Sequence, residues 1–186
     1  NFGNIGAGLL AYKMGLPVSH FVAGTNVNDT VPRYLATGNY QPKPSEQTLA
    51  NAMDVGDPSN WVRIQDLFQH KLDDLRAMIS TYTYTDVETK AAMQKLYDDY
   101  KYIACPHTAI AFLAAQDYRK AHPGTYASVF LSTAHPCKFP EAFEASVFSE
   151  ITLPAGAEAL ADKEKIVTAL PIDFASFKAY LLQHKD

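Results

Sequence analysis

Three short stretches of this chain carry residue types whose spacing could do chemistry. The first is Asn1-Phe2-Gly3-Asn4-Ile5-Gly6-Ala7-Gly8, which runs straight into the helix-like stretch Leu9 to Met14. Glycine at 3, 6 and 8 lets the backbone approach a ligand closely, and the asparagines at 1 and 4 tolerate unusual dihedrals and can donate hydrogen bonds. A helix start adds unpaired N–H groups and a favourable dipole, so the stretch reads as a phosphate cradle, with a plain tight turn as the alternative. The second pairs Cys105-Pro106-His107 with Cys137 and its neighbours in His135-Pro136-Cys137, four side chains that could in principle hold zinc. Zinc pairs typically have about two to four residues between ligands. The spacing here therefore favours structural roles: His107 capping or packing at a helix start, His135-Pro136 shaping a loop, the cysteines as small core residues. No metal is expected. The third, Ser132-Thr133-Ala134-His135, sets hydroxyls beside an imidazole. With no marked carboxylate and no nucleophile elbow it does not read as a serine hydrolase. A hydroxyl at a strand's carboxyl end can instead hydrogen-bond a bound heterocycle.

The elements that must position these groups alternate between helix and strand. After the opening helix, Gly15-Leu16-Pro17 is a stop signal and Val18 to Thr25 is an apolar run of buried-strand type. The pattern recurs with a helix over Pro106 to Ala121, a turn at His122-Pro123-Gly124 and a strand over Tyr126 to Ser132. Strand, crossover and strand in this order imply an α/β fold, a mainly parallel sheet flanked by helices, with ligands gathering at the carboxyl ends of the strands, where Thr25-Asn26 and Ser132-Thr133 fall. Between the two repeats the spacing predicts a helix from Asp57-Pro58-Ser59 to about His70, a break over Ser80 to Thr85, and a helix opened by Asp86 with Glu88 and Lys90 on its surface. Gln41 to Ala50 reads as an exposed loop. Lys138 to Phe148 is a candidate helix, Asp162 to Leu170 is ambiguous, and Asp173 to His184 predicts a closing helix whose Phe174, Phe177, Tyr180 and Leu181 form a core-packing stripe. The acid pairs Asp73-Asp74 and Asp98-Asp99 read as solvated faces, and His20, His70, His122 and His184 as surface or end-of-element residues without a discernible partner.

Composition excludes several function classes. The 186 residues are 47% hydrophobic and 12% aromatic, enough to bury a core. A net charge of -4 without a Lys/Arg block argues against nucleic-acid binding. No apolar run has membrane-spanning length, so no membrane partner is expected, and no basic leader precedes an apolar core. Two cysteines make no disulfide framework, which points to a reducing, cytoplasmic setting. A chain that opens inside a ligand loop without an initiator Met is expected to be the C-terminal portion of a longer protein.

Several stretches together resemble threonine synthases of the pyridoxal-phosphate fold type II family. Asn1-Phe2-Gly3-Asn4 is similar to the end of that family's S/T-G-N-F-G-N phosphate loop, and Lys13 to Pro17 to its K-M-G-L-P. Thr25-Asn26 with Asn28-Asp29 resembles T-N-x-N-D, Ala52-Met53-Asp54 with Ser59-Asn60 resembles A-M-D…S-N, and Pro106-His107-Thr108-Ala109 resembles D-P-H-T-A. Ser132 to Phe139 resembles S-T-A-H-P-A-K-F, with Cys105 and Cys137 where the family often has Asp and Ala. The resemblance implies conversion of O-phospho-L-homoserine and water to L-threonine and phosphate with pyridoxal 5'-phosphate. It implies that Asn1, Phe2, Gly3 and Asn4 hold the cofactor phosphate and that Thr133 faces the pyridine nitrogen. The Schiff-base lysine would lie in the preceding part of the protein rather than at Lys13 or Lys138, leaving no catalytic residue in this chain and making residues 1–186 inactive alone. Related alternatives are a threonine or serine dehydratase-like enzyme and a noncatalytic synthase-like protein that binds a phosphate ligand. The oligomeric state is not readable from the sequence.

Overall fold

The computed structural model describes residues 1–184. They fall into two compact units, Asn1–Thr152 and Leu153–Asp186. The first contains α1 (Gly3–Lys13), β1 (Phe21–Thr25), α2 (Thr30–Thr37), α3 (Trp61–Leu67), α4 (Leu72–Met78), β2 (Ile79–Thr83), α5 (Asp86–Tyr100), α6 (Pro106–Ala121) and α7 (Ala145–Phe148). β1 and β2 pair in parallel, with Phe21 opposite Ile79 and Thr25 opposite Thr83. Parallel neighbours need a long crossover, and α2, α3 and α4 provide it. The α/β reading therefore holds.

Local chemistry explains the element ends that matter for function. Pro106 occupies the first turn of α6 after an extended Cys105, a position where proline's missing N–H costs nothing. α5 opens on a capping box, in which the Thr85 hydroxyl accepts from the Glu88 N–H and the Glu88 carboxylate accepts from the Thr85 N–H. α6 lies so close over β1 that a Cβ on Gly24 would stand 2.9 Å from both Cγ2 and the carbonyl oxygen of Ile110. Only glycine permits that approach. One core gathers Leu9, Val31, Trp61, Ile64, Leu75 and Ile79, and a second, between α5 and α6, holds Met93, Leu96, Ala109, Phe112 and Phe139.

Four expectations fail in this unit. Ser80 to Thr85 is not simply a break, because most of it is β2: alternating Thr and Tyr suit a strand once the backbone of β1 lies alongside. Tyr126 to Ser132 forms no strand, for no partner edge lies beside it among the described residues, and Val129 and Leu131 are 84% and 55% exposed. Lys138 to Phe148 is not one helix. Pro140 cannot donate to a helical ladder, and the segment breaks into 3₁₀ turns at Pro136–Lys138 and Pro140–Ala142 before α7. The expected helix to His70 is shorter, ending at Leu67.

The second unit holds α8 (Ala155–Glu158) and α9 (Phe174–Gln183), with no regular element over 162–170. Asp173 caps α9 by accepting from the Ser176 N–H at 2.8 Å. The stripe expected to pack a core does not do so among the described residues: Phe174, Phe177 and Leu181 are exposed, Phe174 to 77%, and Tyr180 is half-buried. Among the described residues no helix is long and apolar enough to cross a membrane.

Candidate functional site

The glycine-rich opening folds into a helix N-terminus with bare donors. Phe2 takes the left-handed conformation at φ 58 and caps α1 through its carbonyl, which accepts the first helical bond from Gly6 N–H at 3.0 Å. The N–H groups of Gly3, Asn4 and Ile5 thus have no carbonyl within the helix. No acidic residue occupies the first turn, and no side chain caps it. The strained backbone at Phe2 is held by packing: its ring meets Trp61 edge-on at 5.6 Å. Asn1 is held as well, its side-chain oxygen accepting from Ser59 Oγ at 3.1 Å and its carbonyl from Asn60 Nδ2 at 3.0 Å. Two stretches singled out separately in the sequence, 1–4 and 59–60, are therefore one structure. Beside them a cavity of about 230 Å³ is lined by Gly3, Gly6, Ala7, Asn60, Arg63 and Ile64. The Arg63 guanidinium bonds the Asn60 side-chain oxygen. Sequence reasoning missed Arg63, whose signal was its place one helical turn after the Ser59-Asn60 pair.

At the carboxyl end of β1 the chain buries a polar cluster. Asn26 and Asn28 are 1% and 4% exposed. Asn26 donates to Thr48 Oγ1 at 2.9 Å and to Asp54 Oδ1 at 2.8 Å, while its own oxygen accepts from the Asn28 backbone and side chain. Asp54 Oδ1 also accepts from Asn28 at 3.3 Å and Thr48 Oγ1 at 2.8 Å, and Oδ2 from the Thr48 N–H at 2.9 Å. The cluster ties the polar loop 41–56 back to the strand end. Gly56 lets that loop close, since a Cβ there would collide with the Lys43 carbonyl. The loop is exposed over much of its length, as expected.

The start of α6 lies against the run 126–135. Thr108 Oγ1 donates to Ser132 Oγ at 3.3 Å, and Tyr102 Oη reaches the same oxygen at 3.2 Å. Thr133 follows in a cavity of about 570 Å³ that is also lined by Tyr102, Ser132, His135, Glu150 and Ile151. Thr133 and Gly3 line separate cavities. Cys105 is buried with its Sγ 3.2 Å from Thr108 Oγ1, while His135 Nδ1 accepts from the Cys137 N–H. Among the described residues no three His, Cys, Asp or Glu side chains converge on a metal position.

His107, in the first turn of α6, is 6% exposed, and neither ring nitrogen has a hydrogen-bond partner. Its ring tilts against Phe139 at 4.9 Å. Burial first, then the positive charge of Lys138, hold the imidazole below its ordinary pKa, against a smaller opposite pull from Asp54. The histidine read as packing at a helix start does pack, yet it leaves two polar atoms unmet. His20, by contrast, does have partners: it bonds Ser80 Oγ at 2.9 Å and stacks on Tyr118.

The model for the family described as "Pyridoxal-phosphate dependent enzyme" matches residues 1–133, and that described as "Threonine synthase, C-terminal" matches residues 108–181. Threonine synthase of Escherichia coli (strain K12) is 42% identical over 185 residues, covering 100% of this chain and 42% of the relative. The crystal structure of threonine synthase from Escherichia coli superposes with a TM-score of 0.84 at 41% identity, over 99% of this chain and 42% of that one. The X-ray structure of PLP-bound threonine synthase from Brucella melitensis gives 0.80 at 31% identity, over 99% and 44%. The chain thus spans about two fifths of the length of the relatives it matches.

Proposed function

Because the chain belongs to the threonine synthase family of fold type II pyridoxal-phosphate-dependent enzymes, we propose that the protein of which it forms part converts O-phospho-L-homoserine and water to L-threonine and phosphate. Residues 1–186 are the C-terminal portion of its catalytic domain. The observation that carries the reading within this chain is the N-terminus of α1: three free N–H groups, an anchored Asn1 and a nearby Arg63 suit a phosphate dianion. Asn1, Phe2, Gly3 and Asn4 hold the phosphate of pyridoxal 5'-phosphate, mainly through backbone donors. Once bound, that cofactor supplies the electron sink for bond changes at the amino-acid carbons. Thr133 offers its ring nitrogen a neutral hydroxyl in place of a carboxylate, so the ring carries less positive charge and the surrounding protein directs more of the chemistry.

The lysine that captures the cofactor aldehyde belongs to the part of the protein preceding this chain. Lys13 already has a structural place, with its Nζ 4.5 Å above the centre of the Phe68 ring. Small-molecule metabolism and two free thiols suit the cytoplasm. Asn4, exposed in the first turn, provides the test. In the full-length protein, Asn4→Asp sets a carboxylate beside the phosphate, a repulsion of about 4 kcal/mol at roughly 4 Å and an effective dielectric near 20. Titration with pyridoxal phosphate should show affinity falling at least a hundredfold. An unchanged dissociation constant would remove the phosphate from this helix end.

A further inference from the structure

We propose that Ser59, Asn60 and Arg63 are positioning residues for the cofactor's phosphate, acting through Asn1 so that donors rather than acceptors face the anion. The proposal rests on the functional reading above, and it gives a task to the pair Ser59-Asn60, which that reading leaves without one. Asn1 carries two acceptor oxygens, its backbone carbonyl and its side-chain Oδ1, and either would repel a phosphate dianion set beside it. Both are engaged. Ser59 Oγ donates to Oδ1 at 3.1 Å, and Asn60 Nδ2 donates to the carbonyl at 3.0 Å. With Oδ1 taken, the Asn1 Nδ2 has no hydrogen-bond partner among the described residues and is the end of the amide left for a ligand.

Arg63 sets the second amide. A guanidinium can only donate and a carbonyl can only accept, so the Asn60 side chain, bonded to Arg63 through Oδ1 and to Asn1 through Nδ2, fits one way round and not the other. A positive charge at the amide oxygen also polarises the group and strengthens the N–H it offers to Asn1. Among the described residues Arg63 makes no ion pair, so that charge is not spent on a carboxylate. The same stretch holds the rest of the cradle: Trp61 meets the ring of Phe2, whose left-handed backbone presents the N–H groups of Gly3, Asn4 and Ile5. Gly3 passes near the brace, since a Cβ there would stand 3.7 Å from Asn60 Nδ2. Ser59 and Arg63 are exposed, where a lost side chain costs the fold little. Their effect on Asn1 can therefore be read apart from stability.

The test uses the full-length protein, freed of cofactor and titrated with pyridoxal 5'-phosphate and with pyridoxal, which lacks the phosphate. Asn60→Ala should weaken the phosphorylated ligand about tenfold, and Ser59→Ala and Arg63→Ala about threefold to fivefold each, the usual weight of a net hydrogen bond. Pyridoxal affinity should change less than about twofold in all three, a discrimination that a merely structural role would not give. The phosphorus NMR signal of the bound ligand should move between wild type and Asn60→Ala. Because Arg63 acts through Asn60, the double variant should be no weaker than Asn60→Ala alone, and Arg63→Lys should restore part of the loss. Additive losses would put Arg63 on the anion itself and overturn its place in the chain. Unchanged affinity in Asn60→Ala, or equal losses for both ligands, overturns the proposal while leaving the functional reading intact. A wild-type protein that binds pyridoxal 5'-phosphate no more tightly than pyridoxal would instead sink the phosphate cradle, and this proposal with it.

Discussion

Two buried polar regions of the first unit, both built from residues in family-like stretches, solve the same problem in opposite ways. At the end of β1, Asn26, Asn28, Thr48 and Asp54 are satisfied by one another and by the Glu46 backbone: the amides and the carboxylate take part in hydrogen bonds of 2.8 to 3.3 Å and need nothing further. At the start of α6, His107 is about as deeply buried and has no partner at all. Both sets of residues would look equally like active-site candidates in a list of polar types. Their bonding separates them. A closed network contributes to folding and holds a loop, whereas an open group costs folding energy that only a ligand or another part of the protein can offset.

The difference predicts opposite outcomes for substitution. Asp54→Ala strands the side-chain donors of Asn26 and Thr48 and one backbone N–H, while Asn28 keeps Asn26 and Glu46 as acceptors, and the full-length protein should lose about 3 kcal/mol of unfolding free energy, read from the urea midpoint. A loss under about 1 kcal/mol would mean that the network is not closed as described. Gly56→Ala attacks the same loop through its backbone, and relief of the clash with the Lys43 carbonyl should cost roughly 2 kcal/mol and increase protease cleavage within 41–56. His107→Leu should cost less than about 1 kcal/mol and could add stability, since it removes no hydrogen bond and ends the burial of two bare nitrogens. A loss as large as that of Asp54→Ala would abolish the contrast.

The smallest effect concerns pH. The folded His107 has a lowered pKa, so the unfolded chain binds the proton more tightly and acid favours unfolding. Its contribution is present above the ordinary histidine pKa of about 6.5 and is lost as pH falls below that value towards the folded pKa. His20, also lowered by burial and by His122, adds a slope in the same window. Stability profiles of wild type and His107→Leu between roughly pH 7 and 5 should therefore diverge, with the variant declining less steeply. Parallel profiles would show that the imidazole does not titrate against its surroundings.

How far the sequence foretold these regions depends on what carried the signal. α6 was legible to the residue because Pro106 and His122-Pro123-Gly124 punctuate it locally, and the start of α5 because Asp86 marks it, although the Thr85–Glu88 box that caps it went unread. The helix that follows the glycines and asparagines of the opening stretch was legible as well. β2 was hidden, since its Thr-Tyr alternation becomes a strand only through a parallel partner more than fifty residues away. The closure of Asn26 and Asn28 on Asp54 was hidden for the same reason, because hydrogen bonds between distant segments leave no local pattern. His107 illustrates the limit: its residue type and helix-start position were readable, but its missing partners are a property of three-dimensional burial alone.

The run Tyr126 to Ser132, which carries strand-forming residues without a strand, has a practical consequence for anyone handling this chain. It is uncharged, carries Tyr126, Val129 and Phe130 as strand-favouring side chains, and presents Val129, Phe130 and Leu131 to solvent. Such a segment can find in a second molecule the edge it does not pair with here. At rising protein concentration it is the stretch expected to seed self-association, and a charged side chain substituted at Val129 is the change expected to keep the solution clear in light scattering.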